Sequence, residues 1–377
     1  MVYWPSIRPD AILVWRNPEV RRRLQWYRLV LEGRVPPRYM LARNYLVDGV
    51  GKNELGTLSF DELWRIHVQV TSGFRELLFE LTENPRDRLV NGGTGSVSLL
   101  ELKAEITRRL SNPCALCERK CMIDRRKRIG ACRLDEKAYV HSAFLHMGEE
   151  APLVPSGTIF YGGCNFTCVY CQNYDISQEY PGHGKPVTPR ELASIQDLLA
   201  GKGARNINHV GGEPTPSAHI IVEGMLYANH RKPQLWNSNM YMTEELLEVL
   251  LDIIDIWLPD FKYGNNKCAF RLSGVQRYMD VVPRNIRKAA EIGDMIIRHL
   301  VLPGHLDCCT RRILEYIADK LPADRILVNI MGQYRPEHLV SRYPSRWRDI
   351  ARRPRPEEIE EARRIASSLG LCWRPVS

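Results

Sequence analysis

Between Ser59 and Leu77, Leu63, Ile66, Val70, Phe74 and Leu77 recur three or four residues apart. That period puts them on one face of a helix, and Ser59 with Glu62 reads as a capping box at its start. The same grammar recurs at Ser98 and Glu101, ahead of Leu99, Leu102, Ile106 and Leu110. It recurs again at Thr188 and Glu191, where Pro189 takes the first helical position. A basic helix is expected over Val20 to Leu31, and others from Thr243 through Leu250 and over Pro356 to Leu369. From about residue 155 short apolar runs alternate with the helical stretches. Strands are expected at Thr158–Tyr161, Asn206–Val210, Gln234–Asn237, Ile254–Leu258, Met295–Leu302 and Arg325–Ile330.

Alternation of this kind builds right-handed βαβ units on a parallel sheet. Six such units make a partial, TIM-like (β/α)6 barrel, whose active site belongs at the C-terminal strand ends. The expected α/β organisation has four parts: an N-terminal helical appendage over 1–95, a helix with a cysteine-rich segment over 96–150, the partial barrel over 151–340, and a helical tail over 341–377. The stretch Asn91-Gly92-Gly93-Thr94-Gly95 lacks the Gly-Lys-Ser/Thr ending of a phosphate loop and reads as a linker.

The 377 residues, 44% apolar, suffice for two or three ordinary globular domains. A formal charge of +9 leaves room for an acidic partner or a nucleic acid. Charge alone names no target, so a basic protein surface is the simpler reading and nucleic acid is disfavoured. No run approaches ~18 uninterrupted apolar residues, the length of a membrane span. The N-terminus, Met1-Val2-Tyr3-Trp4-Pro5, has no basic region leading into an apolar run. A cytoplasmic protein without a membrane segment is expected.

Seven of the eleven cysteines fall in two tight groups, which speaks for metal rather than disulfides. Cys164, Cys168 and Cys171 follow an expected strand with the spacing C-x3-C-x2-C. Three thiolates hold three irons of a [4Fe–4S] cluster and leave the fourth iron open to chemistry. The other group, Cys114, Cys117, Cys121 and Cys132, supplies four soft ligands, which suits a closed site holding either zinc or a second [4Fe–4S] cluster. Arg119, Lys120, Arg125, Arg126, Lys127 and Arg128 around it offset cluster charge, present a docking face, or form a solvated edge. Cys268, Cys308, Cys309 and Cys372 lack metal spacing and read as core or surface thiols, with a radical relay at Cys308-Cys309 as the one alternative. His141 and His146 are not taken as ligands.

Polar residues close the expected strands: Gly211-Gly212-Glu213 the second, Asn237-Ser238-Asn239 the third and Asp260-Phe261-Lys262 the fourth. Arg298 lies inside the apolar fifth, and Asn329, Gln333 and Tyr334 stand at the sixth. Together these motifs resemble the radical S-adenosylmethionine (SAM) proteins related to pyruvate formate-lyase activating enzyme, in particular the PflX-like branch. The resemblance rests on Cys114-Ala-Leu-Cys117-Glu-Arg-Lys-Cys121, Gly163-Cys164-Asn-Phe-Thr-Cys168-Val-Tyr-Cys171-Gln172-Asn173, Gly211-Gly-Glu213-Pro-Thr215, Asp260-Phe-Lys262 and Met331-Gly-Gln333-Tyr334-Arg-Pro336. It begins near Ser98 and leaves the N-terminal region uncovered. In one departure, the cysteine quartet precedes the radical motif, whereas activating enzymes with auxiliary clusters carry the extra cysteines after it.

The resemblance implies a radical SAM barrel and reductive cleavage of SAM at the cluster to methionine and a 5′-deoxyadenosyl radical, which abstracts hydrogen from a substrate. It implies that Cys164, Cys168 and Cys171 ligate iron and that Tyr170 packs near the adenine. Gly211, Gly212 and Glu213 would then meet the amino group, and Lys262 and Arg298 the carboxylate or ribose. Asn237, Ser238, Asp260 and Gln333 would complete the cofactor site, with no catalytic side chain beyond the cluster. A reductant such as ferredoxin or flavodoxin is implied as partner, and a glycine on a protein or a small molecule as substrate. Two other readings stand beside this one. The clustered cysteines also suit a non-enzymatic iron–sulfur carrier or metal-binding interaction protein, and Arg21-Arg22-Arg23 with the positive balance suits nucleic-acid binding.

Overall fold

All six expected strands form, their ends shifted by at most two residues. The computed structural model describes residues 4–87 and 96–377, so the proposed linker at Asn91–Gly95 lies outside the described residues. In chain order the strands of the main sheet are β1 (Ala138–His146), β2 (Ser156–Tyr161), β3 (Lys185–Val187), β4 (Asn206–Gly211), β5 (Gln234–Ser238), β6 (Ile256–Pro259), β7 (Asp294–Leu300) and β8 (Ile326–Met331). Their spatial order is β8-β7-β6-β5-β4-β2-β1-β3. The run from β2 to β8 is parallel throughout, and β1 joins its edge antiparallel to both β2 and β3. This is a partial (β/α)6 barrel with an antiparallel extension. The parallel strands are largely buried on both faces and carry short apolar runs such as Ile256–Leu258 and Met295–Ile297, interrupted by polar residues including Asn208, His209 and Arg298. β1 is half-exposed and mixes His141, Ser142 and His146 with apolar residues, so no strand was expected there.

Three capping boxes form as the sequence implies. They start α1 (Phe60–Glu83), α2 (Leu99–Ser111) and α3 (Pro189–Gly201). α4 (Glu244–Leu251) lacks such a cap, because the Thr243 hydroxyl donates instead to the Ala115 carbonyl at 2.9 Å. That bond ties the barrel to the cysteine-rich segment. α5 (Asn266–Ser273) and the helices Tyr278–Ile292 and Arg312–Lys320 complete the crossovers. α5 starts at Asn265, whose side chain accepts from the Cys268 N–H.

The expected helix Val20–Leu31 breaks at Leu24 into Pro18–Arg23 and Gln25–Leu31. The break frees the Tyr27 N–H to donate to Asp294 at 2.8 Å, and Trp26 Nε1 donates to Asp255 at 2.8 Å. Both aspartates stand at the N-terminal ends of barrel strands. Val20, Leu24 and Tyr27 pack with Leu235, Ile256, Leu258, Ile296 and Leu327, so the N-terminal helices stop the bottom of the barrel. The chemistry is left to the opposite mouth.

Two buried charge sets hold this arrangement. Lys103 on α2 donates to Asp252 at 2.6 Å with both side chains 0% exposed, and Arg75 on α1 donates to the other carboxylate oxygen at 2.7 Å. Burial alone would raise the Asp252 carboxyl, but the two cations hold it below its ordinary value. Asp252→Ala would leave Lys103 charged and unpaired. A loss of about 3–5 kcal/mol is expected, read from urea denaturation.

Burial raises Asp294 from 3.8 to about 7 and Asp255 from 3.8 to about 6. A carboxyl raised on folding keeps its proton longer in the folded state. Its contribution is full below the unfolded value and is lost as pH rises through the folded one. Asp294→Asn keeps the acceptor for Tyr27 and removes the titration. The urea midpoint of the variant should therefore fall less than that of the parent between about pH 4 and 7, by up to about 1.4 kcal/mol per pH unit.

Candidate active site

The loop that leaves β2 carries Cys164, Cys168 and Cys171 across the C-terminal mouth of the sheet. Gly163 takes a φ of +77°, and a Cβ there would stand 2.8 Å from the Cys132 carbonyl. The loop is stitched to α5 by Thr167 N–H to the Ser273 carbonyl and Val169 N–H to the Leu272 carbonyl, each at 2.9 Å. Every sulfur has a polar neighbour. Phe166 N–H donates to Cys164 Sγ at 3.3 Å, Ser273 Oγ lies 2.9 Å from Cys168 Sγ, and Ser177 Oγ lies 3.4 Å from Cys171 Sγ. The Ser273 hydroxyl ends a chain through Tyr263 to Tyr170, with oxygen–oxygen distances of 2.5 and 2.7 Å. Burial raises the Cys164 and Cys168 thiols, Cys168 to about 11 with help from the neighbouring Cys171. Buried thiolates here therefore call for a cation to hold their charge.

The three sulfurs open onto a cavity of about 400 Å³ whose lining contributes these three thiols and no fourth. The same lining contains Tyr170, Gly211, Gly212, Glu213, Asn237, Ser238, Asp260, Lys262, Arg298 and Gln333, which is every cofactor-site residue singled out from the sequence. Asn329 and Tyr334 are engaged elsewhere. Asn329 donates to Glu150 at 2.8 Å, and the Tyr334 hydroxyl donates to the Ile350 carbonyl at 2.7 Å. A larger groove of about 730 Å³ runs along α1 and shares no residue with this cavity.

Opposite the thiols stands a polar cradle. Glu213 Oε1 accepts from the hydroxyls of Thr215 at 2.5 Å and Ser238 at 2.6 Å, while Oε2 accepts one bond, from Asn239 N–H at 2.9 Å. A second acceptor direction on Oε2 stays available. Lys262 Nζ donates to Asp260 at 2.7 Å, and Arg298 Nε donates to its other oxygen at 3.0 Å. Arg298 also donates to Asn237 at 2.8 Å and lies 3.6 Å from Glu149. Burial works against these charges, yet Asp260 is held below its ordinary value by Arg298 and Lys262, and both bases are held above theirs. Lys262 keeps 21% of its side chain exposed, within reach of the cavity.

The family described as "Radical SAM superfamily" matches residues 158–317, from β2 into the helix before β8. The chain is also 40% identical over 352 residues to "Uncharacterized protein MJ0674" of Methanocaldococcus jannaschii, a match spanning 92% of this chain and 97% of that one. The chain belongs to the radical SAM superfamily. Two solved structures are similar to parts of the chain at lower identity. Streptococcus suis SuiB bound to precursor peptide SuiA is 15% identical, with a TM-score of 0.39 over 56% of this chain and 46% of that one. A domain of pyruvate-formate lyase-activating enzyme from Bacteroides vulgatus is 15% identical, with a TM-score of 0.32 over 49% of this chain and 89% of that one. Membership makes the chain an enzyme of radical SAM chemistry, with a [4Fe–4S] cluster and SAM as the cofactors the family implies. The thiol triplet beside a polar cradle fits both. Among the described residues no helix is long and apolar enough to cross a membrane.

In this radical SAM chain the cysteine-rich segment leans on the triplet loop. Cys117 bridges to Met242 beyond β5, and Arg119 Nε donates to the Asn165 carbonyl at 2.9 Å. Asn239 Nδ2 donates to Asn165 at 2.7 Å from the other side. Burial raises Cys117 and Cys132, and Cys114 and Cys121 beside them push both in the same direction. The basic run splits. Arg125 is buried and donates to the carbonyls of Asp135 and Pro216, so it holds the fold, while exposed Arg126 pairs with Asp124.

Sequence reasoning missed Glu149, which reaches the cavity from the β1–β2 connection and accepts from Asn208 at 3.0 Å. It missed Ser273 beside Cys168, since a lone serine carries no spacing signal, while Asn239, read only as a strand-end polar residue, reaches Cys164 Sγ at 3.8 Å. It read Cys268, Cys308 and Cys309 as core or surface thiols, since they lack metal spacing in the sequence. The structure brings them together: Cys308 Sγ lies 4.0 Å from Cys268 Sγ and 3.8 Å from Cys309 Sγ, because two strand-end loops converge.

Proposed function

We propose that Cys164, Cys168 and Cys171 hold three irons of a [4Fe–4S] cluster whose fourth iron takes SAM, in the manner of the PflX-like relatives of pyruvate formate-lyase activating enzyme. The observation that carries this reading is one cavity lined at once by the three thiols and by the strand-end polar residues. The bound pair supplies reductive cleavage of the sulfonium to methionine and a 5′-deoxyadenosyl radical, which takes hydrogen from the substrate. The chain orients and shields. Glu213 Oε2 accepts from the amino group of SAM, and Lys262 and Arg298 attract its carboxylate or ribose. Tyr170 packs beside the adenine, and Gly211, Gly212, Asn237, Ser238 and Gln333 line the remainder. Asp260 keeps both bases charged and aimed before a ligand arrives. A one-electron protein donor of the ferredoxin or flavodoxin kind and a reducing, cytoplasmic compartment belong to the same reading.

A cavity of about 400 Å³ lies near the small end of the range for a single ligand. The cofactor fills most of it, so the reacting C–H reaches it from the mouth. This favours a slender segment of a partner protein, such as a glycine, over an enclosed small molecule, and makes the enzyme activating-type.

The quartet Cys114, Cys117, Cys121 and Cys132 holds a second [4Fe–4S] cluster in this reading. Zn–S bonds of about 2.3 Å put the sulfurs of a tetrahedral zinc site about 3.8 Å apart. Among the described residues, the group with three donors within 4.8 Å of one another is Cys268, His305 and Cys308, not three of the quartet. Four thiols from one segment suit a cage in which each binds a different iron.

Anaerobically reconstituted protein should bind about eight irons and, with dithionite and SAM, release 5′-deoxyadenosine. Replacing Cys164, Cys168 and Cys171 by alanine should remove about four irons and all 5′-deoxyadenosine. A reduced-cluster paramagnetic spectrum that SAM leaves unchanged would favour a carrier without enzymatic activity. Lys262→Met should weaken SAM binding about 10- to 100-fold with unchanged iron content, as expected for a lost charged hydrogen bond, measured by equilibrium binding. Deuterium carried from a labelled glycine of a partner into 5′-deoxyadenosine would identify the substrate class.

A further inference from the structure

Four soft donors that belong to neither cysteine motif meet on the shoulder of the barrel. Cys268 lies in the first turn of α5, after β6, and His305, Cys308 and Cys309 follow β7. Cys308 Sγ is 4.0 Å from Cys268 Sγ, 3.7 Å from His305 Nδ1 and 3.8 Å from Cys309 Sγ. Cys268, His305 and Cys308 place all three donor atoms within 4.8 Å of one another. Bonds of about 2.3 Å to sulfur and about 2.0 Å to nitrogen put the ligand atoms of a tetrahedral zinc ion about 3.5–3.8 Å apart. One ion therefore fits between these atoms with small side-chain adjustments. A disulfide needs its sulfurs at about 2.0 Å and has no use for an imidazole beside them.

The surroundings point the same way. His305 is 5% exposed, and its far nitrogen, Nε2, has no hydrogen bond but faces Asp349 Oδ2 at 3.5 Å. A carboxylate behind the second ring nitrogen is what orients a metal-bound imidazole. Asp349 is itself held by Arg271 at 2.7 Å. Asn265 Nδ2 donates to Cys268 Sγ at 3.3 Å and approaches Cys309 Sγ at 3.8 Å, contacts that favour thiolates. Arg271, Arg312 and Lys267 border the shallow cavity over the sulfurs and offset their charge.

We propose that Cys268, Cys308 and His305 bind one Zn²⁺ ion, with Cys309 as the nearest fourth donor. Binding sends the Sγ protons to solvent and changes no oxidation state. The ion clasps the β6 loop, which carries Asp260 and Lys262, to the loop after β7. These loops already pack closely, since a Cβ on Gly264 would stand 2.8 Å from the carbonyls of Cys308 and Cys309.

The test uses the full chain, purified anaerobically and loaded with Zn²⁺, with metal quantitation and zinc-edge X-ray absorption. One zinc per chain in a mixed sulfur and nitrogen shell is expected, lost in Cys268→Ser and Cys308→Ser and kept in Cys372→Ser and Cys117→Ser. Zinc that survives Cys308→Ser but disappears with Cys117→Ser belongs to the quartet and overturns the proposal. The parent protein gives a second readout that no folding defect can blur. Zinc should abolish maleimide labelling of Cys268 and Cys308, a chelator should restore it, and Cys372 should label equally in both states. Equal labelling of Cys268 and Cys308 with and without zinc, or a disulfide joining them in the loaded protein, overturns it. Iron content and SAM cleavage are scored separately, so failure of this site leaves the reading of the cysteine triplet standing.

Discussion

At the ends of β2 and β4 two backbones touch, and a Cβ on Gly212 would overlap the Gly163 carbonyl. β2 and β4 pair in parallel with Tyr161 opposite Gly211, so the thiol loop and the Glu213 loop leave the sheet side by side. Bare backbone is what allows that approach. The separation between the sulfurs and the polar cradle is thus set by sheet register, not by the reach of flexible side chains. Ser273 on one side and Asn239 on the other then fix the sulfurs within the loop. Rigid elements position a site more tightly than a free loop would.

Charge is the second constraint on the same space. Lys262 and Arg298 share one carboxylate, Asp260, and Arg298 has Glu149 on its far side. A lone cation in this interior would be strongly unfavourable. A matched set keeps its charge and still presents Lys262 to the cavity. Glu149 and Glu150 enter from the bottom of the barrel, where Asn208 and Asn329 hold them. The N-terminal helices pack Val20, Leu24 and Tyr27 against that bottom, and the polar network meets the cavity at the mouth. Water exclusion below and cofactor access above are two results of one packing arrangement.

Much of this was legible in the sequence, because the parts that matter obey local rules. Period-3.6 stripes with capping boxes marked α1 and α2, a capping box with proline at the first position marked α3, and short apolar runs between them marked the strands. The residues that line the cavity could be singled out because most of them sit within a few positions of a strand end, so order along the chain maps onto order around the barrel. β1 escaped because an edge strand with one wet face looks like a loop. The break at Leu24 escaped because its cause, capture of the Tyr27 N–H by Asp294, lies 267 positions away. Glu149 escaped for the same reason, since its partners come from β4 and β7.

The cysteines make the point most sharply. The seven that cluster in sequence do not crowd to the spacing of a single ion among the described residues, whereas Cys268 and Cys308, 40 positions apart, do. Tight spacing along one loop lets several sulfurs surround a common cage, each on a different iron, which suits iron–sulfur assembly. Close approach of sulfurs and an imidazole is easier when separate loops meet, because each brings its donor from a different direction. Here the meeting point follows from the barrel itself. β6 and β7 are neighbours, so the turns that follow them converge, and Asn265 and His305 lie where those turns meet. A parallel barrel therefore gathers distant donors at its rim as a consequence of topology, and spacing in the sequence cannot reveal such a site.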